Sequence, residues 1–100
     1  MMLESLTIND FADKIGQSFK IRFEENVEVD LTLSKVEPGK HKTPGTMREP
    51  FSLIFNGPED LRLSQGAFPL ENEALGNLPI FMVPVGQNAD GTIMYQAIFS

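Results

Sequence analysis

The chain has 100 residues, of which 41% are hydrophobic and 22% charged, and its formal net charge at pH 7 is −6. Length and composition predict one folded domain over residues 1–100 with one hydrophobic core. The negative charge argues against nucleic acids and anionic membranes as partners, because both bind clustered basic residues. The absence of cysteine excludes disulfides, thiolate catalysis and cysteine-ligated zinc.

The first predicted element is a short helix that begins after Thr7. Apolar residues recur at helical spacing on one face, at Ile8, Phe11, Ala12 and Ile15. Thr7 suits the N-cap, and Gly16 suits the left-handed position that ends a helix. A helix this short is marginal alone, so we expect it to cover one end or face of a sheet through Phe11 and Ile15.

Alternating apolar and polar residues then predict antiparallel strands over residues 19–23 and 27–33, each with one face in solvent. Val36 breaks this alternation, so the second strand either contains a bulge or ends there. A third strand is predicted over residues 51–55 and a short fourth over residues 67–70. Pro69 lacks an N–H, which places it at a sheet edge or facing outward.

The apolar run over residues 78–85 predicts a strand that is buried on both faces or crosses the core. Asp90 and Gly91 then form a strong hairpin signal before a last strand over residues 93–99. Together these elements predict a mainly β fold: a small six-stranded antiparallel barrel or roll with one short N-terminal helix. Closure is favoured because it removes exposed strand edges.

A polar connection over residues 37–50 is longer than usual, and its charge is opposite to that of the chain. Residues 35–48 hold half of all the basic residues and only one acidic residue, Glu37. This composition is typical of a solvated loop, or of a contact for an acidic protein, which could be another copy of the chain. The predicted partner contact consists of Lys35, Lys40, His41, Lys42 and Arg48.

The remaining candidates for catalysis or metal binding are each explained by an exposed loop or a turn. His41 is the sole histidine and is read either as an exposed loop residue or as a titrating group in the partner contact. Asn88, Asp90 and Gly91 share part of a calcium-loop pattern, but its closing glutamate is missing and a tight turn explains them. The adjacent acids at 24–25 and 59–60 are typical of solvated turns. The sequence therefore predicts no metal, no cofactor and no enzymatic activity.

The second half of the chain contains several distinctive motifs. They are FSLIFNGP at 51–58, QG at 65–66, LG at 75–76, FMVPVG at 81–86 and YQAIF at 95–99. In this order they resemble the pattern of a family of small bacterial proteins known only as a domain of unknown function. The match covers residues 50–100 well and the first half loosely, and Ser100 stands where members often have Asn or Asp. Some members lie near genes for phage-tail-like collar proteins, so the resemblance implies an assembly role and assigns no catalytic residue.

These observations lead to one functional hypothesis and two alternatives. The first is a non-enzymatic binding or assembly module, as an accessory to a phage-tail-like assembly. The second is a small-molecule-binding barrel whose cavity is lined by Phe51, Phe55, Phe68 and Phe81. The third is an enzyme of unrecognised type. The sequence shows no signal-peptide pattern and no long apolar span, so a cytoplasmic location is expected.

Overall fold

The structure is a computed structural model that describes residues 6–24, 27–39 and 50–99. One short helix, α1 (Ile8–Ala12), precedes six strands. The strands are β1 (Ser18–Glu24), β2 (Val27–Pro38), β3 (Phe51–Gly57), β4 (Gly66–Asn72), β5 (Gly76–Gln87) and β6 (Ile93–Phe99). The predicted fold class is confirmed. Strands β3 to β6 cover the residues over which the sequence predicted them.

The six strands form a closed barrel in the order β1-β2-β3-β6-β5-β4, with every neighbouring pair antiparallel. The joint between β1 and β4 is narrow, since only Lys20 with Glu71 and Ile21 with Leu70 are paired there among the described residues. Buried Asn72 strengthens this joint, because its side-chain amide donates to the Ser18 carbonyl oxygen at 3.1 Å and to Gln17 Oε1 at 3.2 Å. Closure therefore depends on a few specific contacts at this joint.

Inward side chains from all six strands fill the barrel with a continuous hydrophobic core. At one end, which we call the helix end, the fully buried Phe11 lies against the rings of Phe19, Phe51 and Phe99 at centroid distances of 6.5, 5.8 and 5.7 Å. At the opposite end, which we call the far end, Leu63 is buried and its backbone N–H donates to the Tyr95 hydroxyl at 2.8 Å. Both ends are thus closed by segments outside the sheet.

The helix covers the barrel through only one of the two predicted residues. Thr7 is the N-cap, its backbone N–H donates to Asp10 Oδ2 at 2.7 Å, and Gly16 adopts the predicted left-handed conformation with φ 93°. Ile15, however, lies in the turn after the helix and is 53% exposed. The helix ends at Ala12, before the periodicity does, so the prediction that Ile15 packs on the barrel is wrong.

Strand β2 is longer than its alternation indicated. The register shifts between Leu33 and Lys35, which confirms a bulge, and pairing then continues to Pro38 opposite Phe51. The first two residues of the predicted connection therefore belong to the sheet. Pro69 lies within β4 opposite Pro79 of β5, exposed on the outer surface. The outward alternative for Pro69 is confirmed.

Strand β5 is not buried on both faces. Leu78, Ile80 and Met82 are buried, whereas Phe81 is 56% and Val85 49% exposed. The prediction of a doubly buried strand is wrong, because in a single-layer barrel each strand has one face inside and one outside. Because the outward residues of β5 are also apolar, the sequence does not show the alternation between buried and exposed positions.

Candidate interaction surface

The predicted partner contact is described at one residue only. Lys35 is exposed on the outer surface of β2, with its Nζ 3.7 Å from Glu37 Oε2. Lys40, His41, Lys42 and Arg48 lie outside the described residues. The residues flanking them, Gly39 and Pro50, lie at the helix end and are joined by a 2.7 Å hydrogen bond from the Gly39 N–H to the Pro50 carbonyl oxygen. The described residues on either side of this stretch are therefore held together at the helix end.

An acidic groove lies at the opposite, far end of β2 and β3. It is an open depression of about 720 Å³ whose described lining includes Glu28, Asp30, Asp60 and Asp90 and contains no basic residue. Two of these carboxylates contact side chains of β1: Glu28 Oε2 is 2.8 Å from Arg22 Nη2, and Asp30 Oδ1 accepts from Ser18 Oγ at 2.9 Å. The groove therefore offers negative charge to a partner, close to where the β5–β6 turn meets β3.

Asp90 shows that a turn explains the calcium-like pattern. Its Oδ1 accepts hydrogen bonds from the Thr92 hydroxyl at 2.6 Å and from the Thr92 backbone N–H at 2.9 Å. These bonds hold the pKa of the Asp90 carboxyl below its ordinary 3.8. The Asn88 side-chain amide donates to Asn56 Oδ1 and to Thr92 Oγ1, both at 2.9 Å. The side chains of Asn88 and Asp90 thus form hydrogen bonds within or beside the β5–β6 turn. The predicted hairpin is confirmed.

The structure adds no evidence for the metal-binding and acid–base candidates in the residues that it describes. Within residues 6–24, 27–39 and 50–99, no group of three or more His, Cys, Asp or Glu is placed to hold a metal ion. Glu59 and Asp60 are both exposed in the connection between β3 and β4. The side chains of Glu24 and Glu25 lie outside the described part of the chain.

The most distinctive feature of the outer surface is an uncharged face on four adjoining strands, which we call the apolar face. It consists of Ser52, Ile54 and Asn56 of β3; Met94, Gln96 and Ile98 of β6; Pro79, Phe81, Val83 and Val85 of β5; and Ala67 and Pro69 of β4. Ile98 is 71% exposed, the highest value among the large hydrophobic residues that the structure describes. Large apolar side chains thus lie in solvent here, and charged residues of β2 border them only along β3, where Lys35 pairs with Ile54 and Glu37 with Ser52.

Strand register makes this face continuous. Ile54 pairs with Gln96, which pairs with Val83, so these three form one row across β3, β6 and β5. On β4 and β5, Ala67 lies opposite Phe81 and Pro69 opposite Pro79. Because paired residues of neighbouring strands point to the same side of a sheet, the apolar side chains are adjacent in space.

The other side of the barrel carries charges instead. Lys20 and Arg22 of β1 and Glu28 and Asp30 of β2 face outward there, and Arg22 Nη2 also lies 3.3 Å from Glu71 Oε2 of β4. The outer surface is therefore divided into a charged side on β1 and β2 and an uncharged side on β3, β6, β5 and most of β4.

The four phenylalanines of the small-molecule alternative do not line a common cavity. Phe51 and Phe55 are buried in the core, and Phe68 is half-buried with its ring 6.3 Å from Phe23. Phe81 points outward on the apolar face. Sequence reasoning missed this outward position, because the uninterrupted apolar run over residues 78–85 does not show which side chains face solvent.

No helix in the described part of the chain is long and apolar enough to cross a membrane. Fold and surface together define a small, closed, antiparallel barrel with a filled interior and a two-sided exterior. The chain belongs to the family described as domain of unknown function DUF6916, whose model matches residues 6–99. Comparisons with curated proteins and with solved structures find no match.

Proposed function

We propose that the chain is a non-enzymatic binding module that takes part in an assembly through its apolar face. The observation that carries this proposal is the combination on one surface of highly exposed Ile98 and Phe81 with no charged residue. Interface cores are depleted in charge and enriched in aromatic residues and methionine, and this face has both properties.

The size of the face agrees with a binding role. Four strands about 4.8 Å apart and seven residues long at about 3.3 Å each cover a curved area on the order of 400 Å². The largest exposed apolar patch of a monomeric protein is typically about 300–600 Å² and is often functional. The face is in this range, although Ser52, Asn56 and Gln96 are part of it, so its size agrees with a surface that a partner covers.

The filled interior favours surface binding over ligand capture. A ligand-binding barrel needs an internal cavity of about 300 Å³ or more. Here Phe11, Phe19 and Phe55 are fully buried within one continuous core. The position of Phe81 outside the barrel removes one wall of the cavity that the alternative required.

The basic residues 40, 42 and 48 supply a second element of the proposal. Long connections vary without disturbing a core and often carry binding residues. A basic segment would steer association with an acidic partner at a rate that decreases as salt increases. An accessory role in a phage-tail-like assembly stays a prediction from the family resemblance.

Site-specific photo-crosslinking tests this function. A photoreactive phenylalanine analogue would replace Phe81 in one variant and Ile15 in its control, since the two side chains are 56% and 53% exposed. In native cells we expect discrete adducts from position 81 and none from position 15, and we expect the adducts to disappear when Ile98→Glu is added. Equal adducts from both positions, or none from position 81, would overturn the proposal.

A further inference from the structure

We propose that the edge of β2 over residues 27–31, at the far end of the barrel, binds an extended basic segment of a protein partner. The segment adds to the sheet as a further strand beside Glu28 and Asp30, antiparallel to β2 and in line with β3. This site is separate from the apolar face, so the inference goes beyond the proposed function and does not depend on it.

The edge exists because β3 ends before β2 does. Pairing between these strands reaches Thr32 opposite Asn56 and does not continue toward the start of β2 among the described residues. The antiparallel register would place Pro58 opposite Asp30, and a proline has no N–H to donate. On its other side, β2 pairs with β1 as far as its first residue. Residues 27–31, about 17 Å of strand, therefore have a strand partner on one side only within the described chain.

The backbone of this edge directs hydrogen-bonding groups away from β1. The Leu33 N–H donates to the Gln17 carbonyl oxygen at 3.1 Å, and the Leu33 carbonyl oxygen accepts from the Gly16 N–H at 2.8 Å, so Leu33 faces the β1 side. Successive residues of an antiparallel strand face opposite sides, and Glu28 and Asp30 each lie an odd number of residues from Leu33. Their N–H and carbonyl groups therefore face the groove, where no strand or turn of the described chain pairs with them.

The acidic groove supplies the space beside this edge. Its lining combines β2 with Pro58, Asp60 and Leu61 of the connection that follows β3, and its volume is about 720 Å³. A chain placed in the groove would continue the line of β3 beyond Gly57. An extended peptide can add to a sheet edge in this way, with affinity from main-chain hydrogen bonds and specificity from its alternate side chains.

Charge selects a basic occupant. The described lining holds four carboxylates and no basic residue, and Arg62 of the nearby connection is not part of it. Lys20 and Arg22 of β1 lie opposite the two acids of β2 and offset part of their charge. Asp60 and Asp90 form no ion pair within the described chain, so the groove keeps a net negative charge. Acidic edges repel one another, which disfavours pairing with a second copy and favours a strand that carries lysine or arginine.

Register predicts the pattern of the bound segment. Paired residues of neighbouring strands point to the same side of a sheet, so residues opposite Glu28 and Asp30 point outward, beside these carboxylates. Lysine or arginine fits both positions. The residue between them points inward, next to Val29, which lines the groove and is only 4% exposed. The expected segment therefore alternates basic, apolar and basic residues.

Hydrogen exchange of the purified chain tests the edge itself. We expect the amides of Glu28 and Asp30 to exchange fast, because they face the groove. The amides of Val29 and Leu31 face β1 and should exchange slowly. Strong protection of the Asp30 amide in the isolated chain would show that the edge is already paired and would overturn the inference.

A synthetic peptide tests the ligand. The probe is a seven-residue peptide, blocked at both ends, with the sequence threonine, lysine, valine, lysine, valine, lysine, threonine. We expect it to bind and to slow exchange of the Glu28 and Asp30 amides. N-methylation of the central lysine removes an N–H that faces β2 and should weaken binding by about tenfold or more. N-methylation of a valine, whose N–H faces away from β2, is the control. Equal binding of the two methylated peptides, or no binding of the probe, would overturn strand addition.

Charge reversal in the chain tests the location of the site. Asp60→Lys should weaken binding of the probe by more than about fivefold at low salt. Asp13→Lys is the matched control, because Asp13 is exposed in the turn after the helix, away from the groove, and this variant should bind like the parent. Ile98→Glu should also bind the probe like the parent, since Ile98 lies on the apolar face. An equal loss in Asp60→Lys and Asp13→Lys would mean general attraction to an acidic protein and would overturn the site.

Discussion

At the scale of single residues, Phe11 closes the helix end of the barrel. Its ring is fully buried and contacts three other rings, of which Phe51 and Phe99 also stack on each other at 4.7 Å. Phe11→Ala would leave a cavity in this cluster and should lower the free energy of unfolding by roughly 3 kcal/mol or more. Urea denaturation of variant and parent measures the difference.

Ile15→Ala is the control for Phe11→Ala, because Ile15 belongs to the same predicted apolar face of the helix but is half exposed. We expect a change within about 0.5 kcal/mol, as is usual for surface positions. Similar losses in the two variants would mean that Phe11 is not the residue that attaches the helix to the barrel.

Gly91 is required by the conformation of the β5–β6 turn. Its φ is 97°, a region that β-branched residues resist, and a Cβ atom there would also meet the Glu59 carboxylate. Gly91→Val should therefore cost more than about 1 kcal/mol. Thermal denaturation would show this as a lower Tm, whereas Ala89→Val, in the same turn but without positive φ, should leave the Tm nearly unchanged. Equal melting of Gly91→Val and parent would contradict the assignment.

At the scale of elements, the connection between β3 and β4 is attached to the far end of the barrel by Tyr95 of β6. The Tyr95 hydroxyl accepts from the Leu63 backbone N–H at 2.8 Å, and Leu63 itself is buried. Tyr95→Phe keeps the ring but leaves this buried N–H without a partner, which costs about 1–3 kcal/mol.

Hydrogen exchange distinguishes a local effect from a global one in Tyr95→Phe. We expect the Leu63 amide to exchange much faster in the variant while amides in the middle of β3 stay protected. Unchanged exchange at Leu63 would show that the hydroxyl does not hold the connection.

Strand β5 shows how one element serves two environments. Its buried residues fill the core, while Phe81 and Val85 extend the apolar face outward. A bulge between Pro84 and Gly86 shifts the pairing with β6 and leaves Val85 exposed. Since both sets of side chains are apolar, the strand resembles a doubly buried one in sequence although only one face is buried.

At the scale of the whole molecule, Gly39 and Pro50, which flank the basic residues 40, 42 and 48 in the sequence, lie at the end of the β2–β3 side opposite the acidic groove. Charge reversal by Lys40→Glu with Lys42→Glu should slow association with an acidic partner, including another copy, while leaving the Tm almost unchanged. Association rates measured at low and high salt check this, because the difference between variant and parent should decrease as salt screens the charges. Equal rates at low salt would exclude the segment from the contact.

Most of the local structure of this protein follows from short-range features of its sequence. Period-two alternation predicted β1 and β2, the Asp90-Gly91 pair predicted the last hairpin, and Thr7 marked the start of the helix, which ends at Ala12 before it reaches Gly16. These signals are readable because each depends on backbone conformation and solvent contact within a few residues.

Which side chains share a surface is set by the pairing of strands that are distant in the chain. The closed strand order brings Ile54, Gln96 and Val83 into one row although they are far apart in the chain. It also turns Phe81 outward and leaves Ile15 outside the core. The physical reason is that hydrophobicity alone does not tell which side of a strand faces the core, since that side is fixed by pairing with distant strands. The apolar face is therefore a property of the barrel, which no single segment of the sequence displays.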